Sequence, residues 1–285
     1  MRFNTYISLL YLSRIFYFGE QPKISKSSPA SPIPVATQIN GIQLYEKDFD
    51  SLRNTKGWLT SAIINCVIAK FVEMSGDGWS AAPSDLYASI TKDAKFHNHV
   101  GVYPDLFLDK NIKTTRPWIR MLKNLKRKQG VDLLEKKTVL PININGNHWI
   151  VAFADPSTKK IVVYDPLGET HEEVKNKLTH LYYILHCVKD RDSYDPSNVY
   201  ITIEFEETED YHGDYSTNQT RSLPPRQKDG YNCGVFVLMR VAKKLLNKNY
   251  THPDDSQKHL LVFLEKMKVG SEESIQAASA QRSPR

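Results

Sequence analysis

The chain is poor in cysteine: three in 285 residues, Cys66, Cys187 and Cys233, far apart and in no CxxC pair. That excludes a disulfide framework and a cysteine-based zinc site, and it points to a reducing compartment, nuclear or cytoplasmic, where each thiol is either core or reactive. Thirteen Gly and fifteen Pro are too few for a collagen-like or low-complexity chain. Long apolar runs are missing as well. Residues 7–18 (ISLLYLSRIFYF) come nearest, but Arg14 interrupts them and GEQPK follows in place of a small-residue cleavage site. The run is also too short to span a bilayer. It reads as a short helix or strand packing on the domain, not as a secretory signal or membrane anchor.

What is present is ordinary for a globular protein: 40% hydrophobic and 25% charged residues. The net charge of +6 invites a nucleic-acid reading. However, Lys110–Lys137 alone holds ten Lys/Arg and two acidic residues, so the rest of the chain is slightly acidic. One basic segment is enough to explain the excess, as a solvated face or a docking surface for an acidic partner, and no nucleic-acid-binding motif accompanies it. Three regions are expected. Residues 1–37 form an N-terminal extension with a Ser/Pro-rich linker, 38–269 a single folded domain, and 270–285 (GSEESIQAASAQRSPR) a disordered tail.

Within the domain, apolar positions from Leu59 to Phe71 recur at three- and four-residue spacing and predict a buried helix over Trp58–Met74. A second helix is expected over Arg116–Gln129, with Pro117 in its first turn and Gly130 ending it. Thr138–Asn143, His148–Ala154 and Lys160–Tyr164 read as strands separated by turn residues, hence an antiparallel meander. Glu169–Val188 has helical spacing, Val199–Phe205 alternates like a strand, and Cys233–Leu246 is a strongly apolar helix. This order gives an α+β domain.

Three short segments carry chemistry: Asn147-His148-Trp149 at a strand start, Tyr164-Asp165-Pro166 at the end of the next strand, and Gln227 to Gly234 leading into a helix. A thiol nucleophile must become a thiolate, which a helix N-terminus favours and a neighbouring imidazole assists. Cys233 is predicted at such a terminus. Paired strands would bring His148 and Asp165 to one end of the sheet, where Asp165 could orient the imidazole. Gln227 and the Cys233 N–H could supply two donors to an oxyanion. Singly, each residue is more often core, turn or surface; together they meet several independent requirements.

The string LPININGNHWIVAFADPSTKKIVVYDPLG followed by QKDGYNCGVFVL closely resembles the SUMO-specific, ubiquitin-like-protein-processing cysteine proteases of the SENP/Ulp family, and more distantly the adenovirus-type proteases. The likeness runs from Trp58 to about Leu238. It implies a papain-like architecture with the triad in permuted order, His-Asp-Cys, on a central mixed sheet flanked by helices. The catalytic Cys then opens a buried helix. His148 is implied as general base, Asp165 as its orienter, Cys233 as nucleophile and Gln227 as oxyanion donor. Trp58-Leu59 followed by Ile63-Ile64 resembles a further family motif. By that likeness Trp58 and Trp149 wall a narrow tunnel that admits a Gly-Gly tail by excluding larger side chains; the alternative for Trp58 is a core anchor on its helix.

No cofactor and no metal is called for. His97-Asn98-His99 lacks completing ligands, the acidic residues from Glu204 to Asp214 read as a solvated loop, and KNLKRK (Lys123–Lys128) as an exposed helix face. The implied activity is a thiol protease and isopeptidase acting after the Gly-Gly of a ubiquitin-like modifier, SUMO foremost, with that modifier and its conjugates as partners. Competing readings are a viral, effector or mobile-element protease, a deneddylase or deubiquitinase of the same fold, and a dead binding module. The four filled catalytic positions argue against the last.

Overall fold

Turn chemistry organises the centre of the fold. Asn145 and Gly146 lie in the left-handed region at φ 54° and 79°, and Lys159 does so at 51°. These turns fold the apolar segments between 137 and 164 back on themselves. The computed structural model describes residues 37–91, 123–189, 201–210 and 223–280, apart from positions 40, 55, 77, 125, 128, 129 and 251. They belong to one unit, Val35–Arg285.

In chain order the elements are β1 (Thr37–Ile39), β2 (Ile42–Leu44), α1 (Glu46–Arg53), α2 (Ser61–Ser75), β3 (Trp79–Ala81), α3 (Asp85–Thr91), β4 (Lys137–Ile144), β5 (His148–Asp155) and β6 (Lys160–Tyr164). Then follow α4 (Glu172–Lys189), β7 (Thr202–Phe205), β8 (Glu209–Asp210), β9 (Pro225–Arg226), α5 (Cys233–Leu246) and α6 (Pro253–Ala280). Strands β3-β4-β5-β6-β7 form a mixed sheet in that order. The antiparallel meander β4-β5-β6 is as expected, and β3 and β7 join its two sides in parallel.

Period-two alternation sorts the sheet's side chains between two cores. Trp149, Val151 and Phe153 of β5 face one core, shared with Ile63, Ile64 and Val67 of α2 and most of α5. Ile150, Ala152 and Ala154 face the other, shared with Val174, Leu178 and Leu181 of α4. Because α5 is apolar without interruption from Cys233 to Met239, its first two turns are buried in the centre of the domain.

The structure differs from the sequence-based expectation at two places. The helix predicted from Trp58 begins at Ser61, because Thr60 caps it: its Oγ1 accepts from Ile63 N at 3.4 Å and donates to the buried Asp48 Oδ1 at 2.7 Å. Trp58 therefore precedes the helix and is 42% exposed, so it is not a core anchor on it. At the C-terminus α6 runs to Ala280, past Gly270 where a disordered tail was expected, so residue 269 falls inside a helix. Glu272–Ala280 contains Glu, Gln and Ala and no Pro, which favours that continuation. The run 7–18, His97–His99, and most of the Arg116–Gln129 helix and of the basic segment lie outside the described residues. Within that helix 123, 124, 126 and 127 are helical, and Gly130 donates to Lys126 O at 3.1 Å with φ 64°. Among the described residues no helix is long and apolar enough to cross a membrane.

One ion pair ties α5 to the sheet. Arg240 Nε donates to Glu206 Oε2 at 2.7 Å, its Nη2 reaches Glu206 Oε1, and its Nη1 donates to Tyr250 Oη at 3.2 Å. The two side chains are only 14% and 12% exposed, so removing one partner strands a charge. Arg240→Ala is expected to lower unfolding free energy by about 3–5 kcal/mol, read from urea denaturation.

Candidate active site

Strand register puts two of the expected residues together. Val151 pairs with Tyr164, so continuing one residue sets Asp165 opposite Ile150, and His148 shares Ile150's face of the sheet. His148 Nε2 meets Asp165 Oδ1 at 2.8 Å. The chain then turns on itself: Gly168 N donates to Asp165 O at 2.9 Å and Leu167 N donates to Asp165 Oδ1 at 2.7 Å. Gly168 is indispensable to this turn. Its φ is 72°, and a Cβ there would lie 2.5 Å from Thr208 Oγ1 and 2.9 Å from Arg226 Nε.

Cys233 enters from the opposite core as the first residue of α5, 2% exposed. Gly234 lets α5 press against the segment before α2; a Cβ there would lie 3.1 Å from Leu59 Cβ. The Leu59 carbonyl in turn accepts Trp149 Nε1 at 3.0 Å. Cys233 lies near enough to His148 to act on its titration. Burial alone would depress the His148 pKa, but the hydrogen bond to Asp165, helped by the nearby Cys233, lifts it from 6.5 to about 9. By contrast, burial pushes the Cys66 thiol on α2 up to about 12, which leaves it inert.

Residues 223–232 form the loop that presents Cys233. Tyr164 Oη donates to Pro225 O at 2.8 Å and Gln227 N donates to Pro166 O at 2.7 Å, fastening the loop beside Asp165. Gln227, 5% exposed, thus lies with its backbone against Pro166, the residue after Asp165. Its Nε2 donates to Asp229 O at 2.6 Å and Asp229 Oδ1 at 3.0 Å. The pair expected at the tunnel is split in exposure: Trp58 lies on the surface, whereas Trp149 is 2% exposed.

Two residues escaped the sequence reading. Asp229 Oδ1 also accepts from Tyr231 N at 2.9 Å and Asn232 N at 2.8 Å, and its Oδ2 accepts Asn232 Nδ2 at 3.0 Å. By holding the Asn232 side chain, Asp229 keeps it from capping α5. The first-turn N–H groups next to Cys233 are thereby left for an anion. The Asp-Gly step just before a predicted helix was the available signal. His171 is the other: its Nε2 meets Asp165 Oδ2 at 2.5 Å, and no local pattern marked it. Among the described residues, the ligand atoms of His148, Asp165 and His171 all lie within 4.8 Å of one another. A cation there would have to displace the ring protons that hold the three together.

Residues 84–277 match the Ulp1 protease family, C-terminal catalytic domain. Trp58 lies before that stretch. A desumoylating protease aligns with a TM-score of 0.56 at 16% identity, over 87% of this chain and 96% of its own. The Chaetomium thermophilum Ulp1-like SUMO protease catalytic domain gives 0.52 at 19%, over 83% and 84%. The C-terminal Ulp1 protease domain solved with Smt3, the yeast ortholog of SUMO, gives 0.51 at 18%, over 80% and 85%. At these identities the likeness is one of fold. No curated protein matches the chain.

The raised pKa of His148 has a consequence for stability. A group that binds its proton more tightly when folded stabilises the fold fully below pH 6.5 and loses that contribution as pH rises to about 9. Urea denaturation across this window should show stability falling with pH in the wild type. The fall should be much smaller in His148→Gln, and an equal fall in both would refute the assignment.

Proposed function

The chain belongs to the Ulp1 protease family of cysteine proteases, and from that premise we propose that it cleaves after the C-terminal Gly-Gly of a SUMO-like modifier, maturing its precursor or releasing it from lysine. The observation that carries this reading is one cluster: a buried Cys233 at a helix start, close to a His148 that Asp165 holds at 2.8 Å. In the proposed cycle, Cys233 Sγ attacks the glycine carbonyl carbon. The oxyanion is held by the Cys233 N–H and by Gln227, whose amide lets go of Asp229 in part. His148, protonated at neutral pH by virtue of its raised pKa, gives a proton to the leaving amine. It then takes one from the water that hydrolyses the thioester.

The modifier preference draws support from the family and from its resemblance to SUMO proteases. The exposure of Trp58, directly before the Leu59 carbonyl that Trp149 holds, supports a role for it at the entry of an extended Gly-Gly tail. A wall of flat aromatic surface admits residues without a Cβ and rejects bulkier ones. The protease domain is taken to start near residue 38, with 1–37 as an extension, and a nuclear or cytoplasmic setting keeps its thiol reduced.

Cys233→Ala is expected to abolish turnover of a SUMO–fluorophore conjugate while leaving the thermal unfolding curve in place. Retained hydrolysis would falsify the nucleophile assignment. Gln227→Ala should lower kcat by about 10²–10³-fold. SUMO, NEDD-like and ubiquitin probes with C-terminal electrophiles should label Cys233 in that order of preference. Labelling by ubiquitin or a NEDD-like probe alone would move the chain to a deubiquitinase or deneddylase reading.

A further inference from the structure

Asp165 is flanked by two imidazoles. Its Oδ1 takes His148 Nε2 at 2.8 Å and Leu167 N at 2.7 Å, and its Oδ2 takes His171 Nε2 at 2.5 Å. The carboxyl side chain is 1% exposed, against 15% for His148 and 22% for His171. With water excluded, Oδ2 depends on His171 for its partner among the described contacts. His171 is itself well held. It is the N-cap residue of α4, whose carbonyl accepts Lys175 N at 3.0 Å. Its ring packs 6.3 Å from Phe205 of β7 on one side and 6.3 Å from His148 on the other, centroid to centroid. Beyond the ring opens a cavity of about 500 Å³, lined in part by Asn143, Asn145, Glu172 and Glu173. The His171 ring thus stands between that cavity and the Asp165 carboxyl.

We propose that His171 is a positioning residue for the hydrolysis, extending the triad to a chain His171–Asp165–His148–Cys233. A carboxyl group gripped by one oxygen can rotate about χ2. Gripped at both, it is fixed in the plane that keeps His148 Nε2 on Oδ1 and turns the other ring nitrogen toward Cys233. His171 also keeps cavity water from competing for Oδ2. His171 touches no reacting atom; it acts through Asp165. The inference rests on the assignment of His148, Asp165 and Cys233 as the triad.

The test is a set of rate measurements on a SUMO–fluorophore conjugate with the full chain, in Asp165 and Asp165→Asn backgrounds. His171→Ala should lower kcat by about 10- to 100-fold and leave KM within about twofold. His171→Gln, which keeps an N–H donor at similar reach, should recover kcat to within about threefold of wild type. In the Asp165→Asn background His171→Ala should change kcat by less than about twofold, because the group it acts through is already altered. Should His171→Ala fail to fold, His171→Met fills the ring's space without a donor and takes its place. The inference is overturned if kcat survives His171→Ala, if the Gln chain is as slow as the Ala chain, or if the loss is equally large in both backgrounds. An Asp165→Asn chain as fast as wild type would overturn the triad itself and this inference with it. A slow Asp165→Asn chain beside a fully active His171→Ala chain overturns this inference alone.

Discussion

A carboxyl group sealed from water must find its donors within the protein, and the need of Asp165 shapes everything around it. Its oxygens draw in the ring of His148, the N–H of Leu167 and the ring of His171. To deliver the first, β5 must begin where β6 ends, which the antiparallel pairing provides. To deliver the other two, the chain must reverse within a few residues of Tyr164, and only a glycine fits at 168, where φ is 72° and Thr208 and Arg226 crowd in. α4 then starts directly after His171 and covers the second core. One buried polar group thus links the meander, a tight turn and a helix start.

Cys233 approaches this carboxyl–imidazole pair from the other side of the sheet. The apolar run Cys233–Met239 buries the first two turns of α5, and Gly234 allows the first of them to lie against Leu59. The Leu59 carbonyl is pinned by the Trp149 indole, and Trp149 is the neighbour of His148 in β5. His148 and Cys233 are therefore tied through the same contact, one by sequence and one by packing. The loop before α5 is fixed independently, by Tyr164 and Pro166 from the β6 end and by the Asp229 hub within. Around it the acidic stretch after β7 is put to use: Glu206 grips Arg240 of α5, and Asp210 pairs with Arg226 and Lys228 on either side of Gln227. A run that reads as a solvated loop is in part a brace for the loop that presents Cys233.

The strands at 138–164 and α5 were legible because alternation and an unbroken apolar run are local signals. His148, Asp165, Gln227 and Cys233 were legible as a set because each falls at the end of such an element, with the family likeness added. Trp58 was misplaced onto a helix because the cap that stops it, Thr60 held by Asp48, involves a partner twelve residues away. The tail beyond Gly270 read as disordered from its lack of large apolar residues, yet helix formers carry α6 to Ala280.

The sequence by itself determined the order of elements, the α+β class and the chemical types of the candidate catalytic groups, since periodicity, turn residues and side-chain chemistry are written along the chain. Only the tertiary structure decided what those groups touch. His171 has no local signature, and its role arises where a carboxyl from another part of the fold must be satisfied out of reach of water. The same holds for His148: its raised pKa comes from Asp165, seventeen residues on, and from Cys233, which folding brings across the sheet.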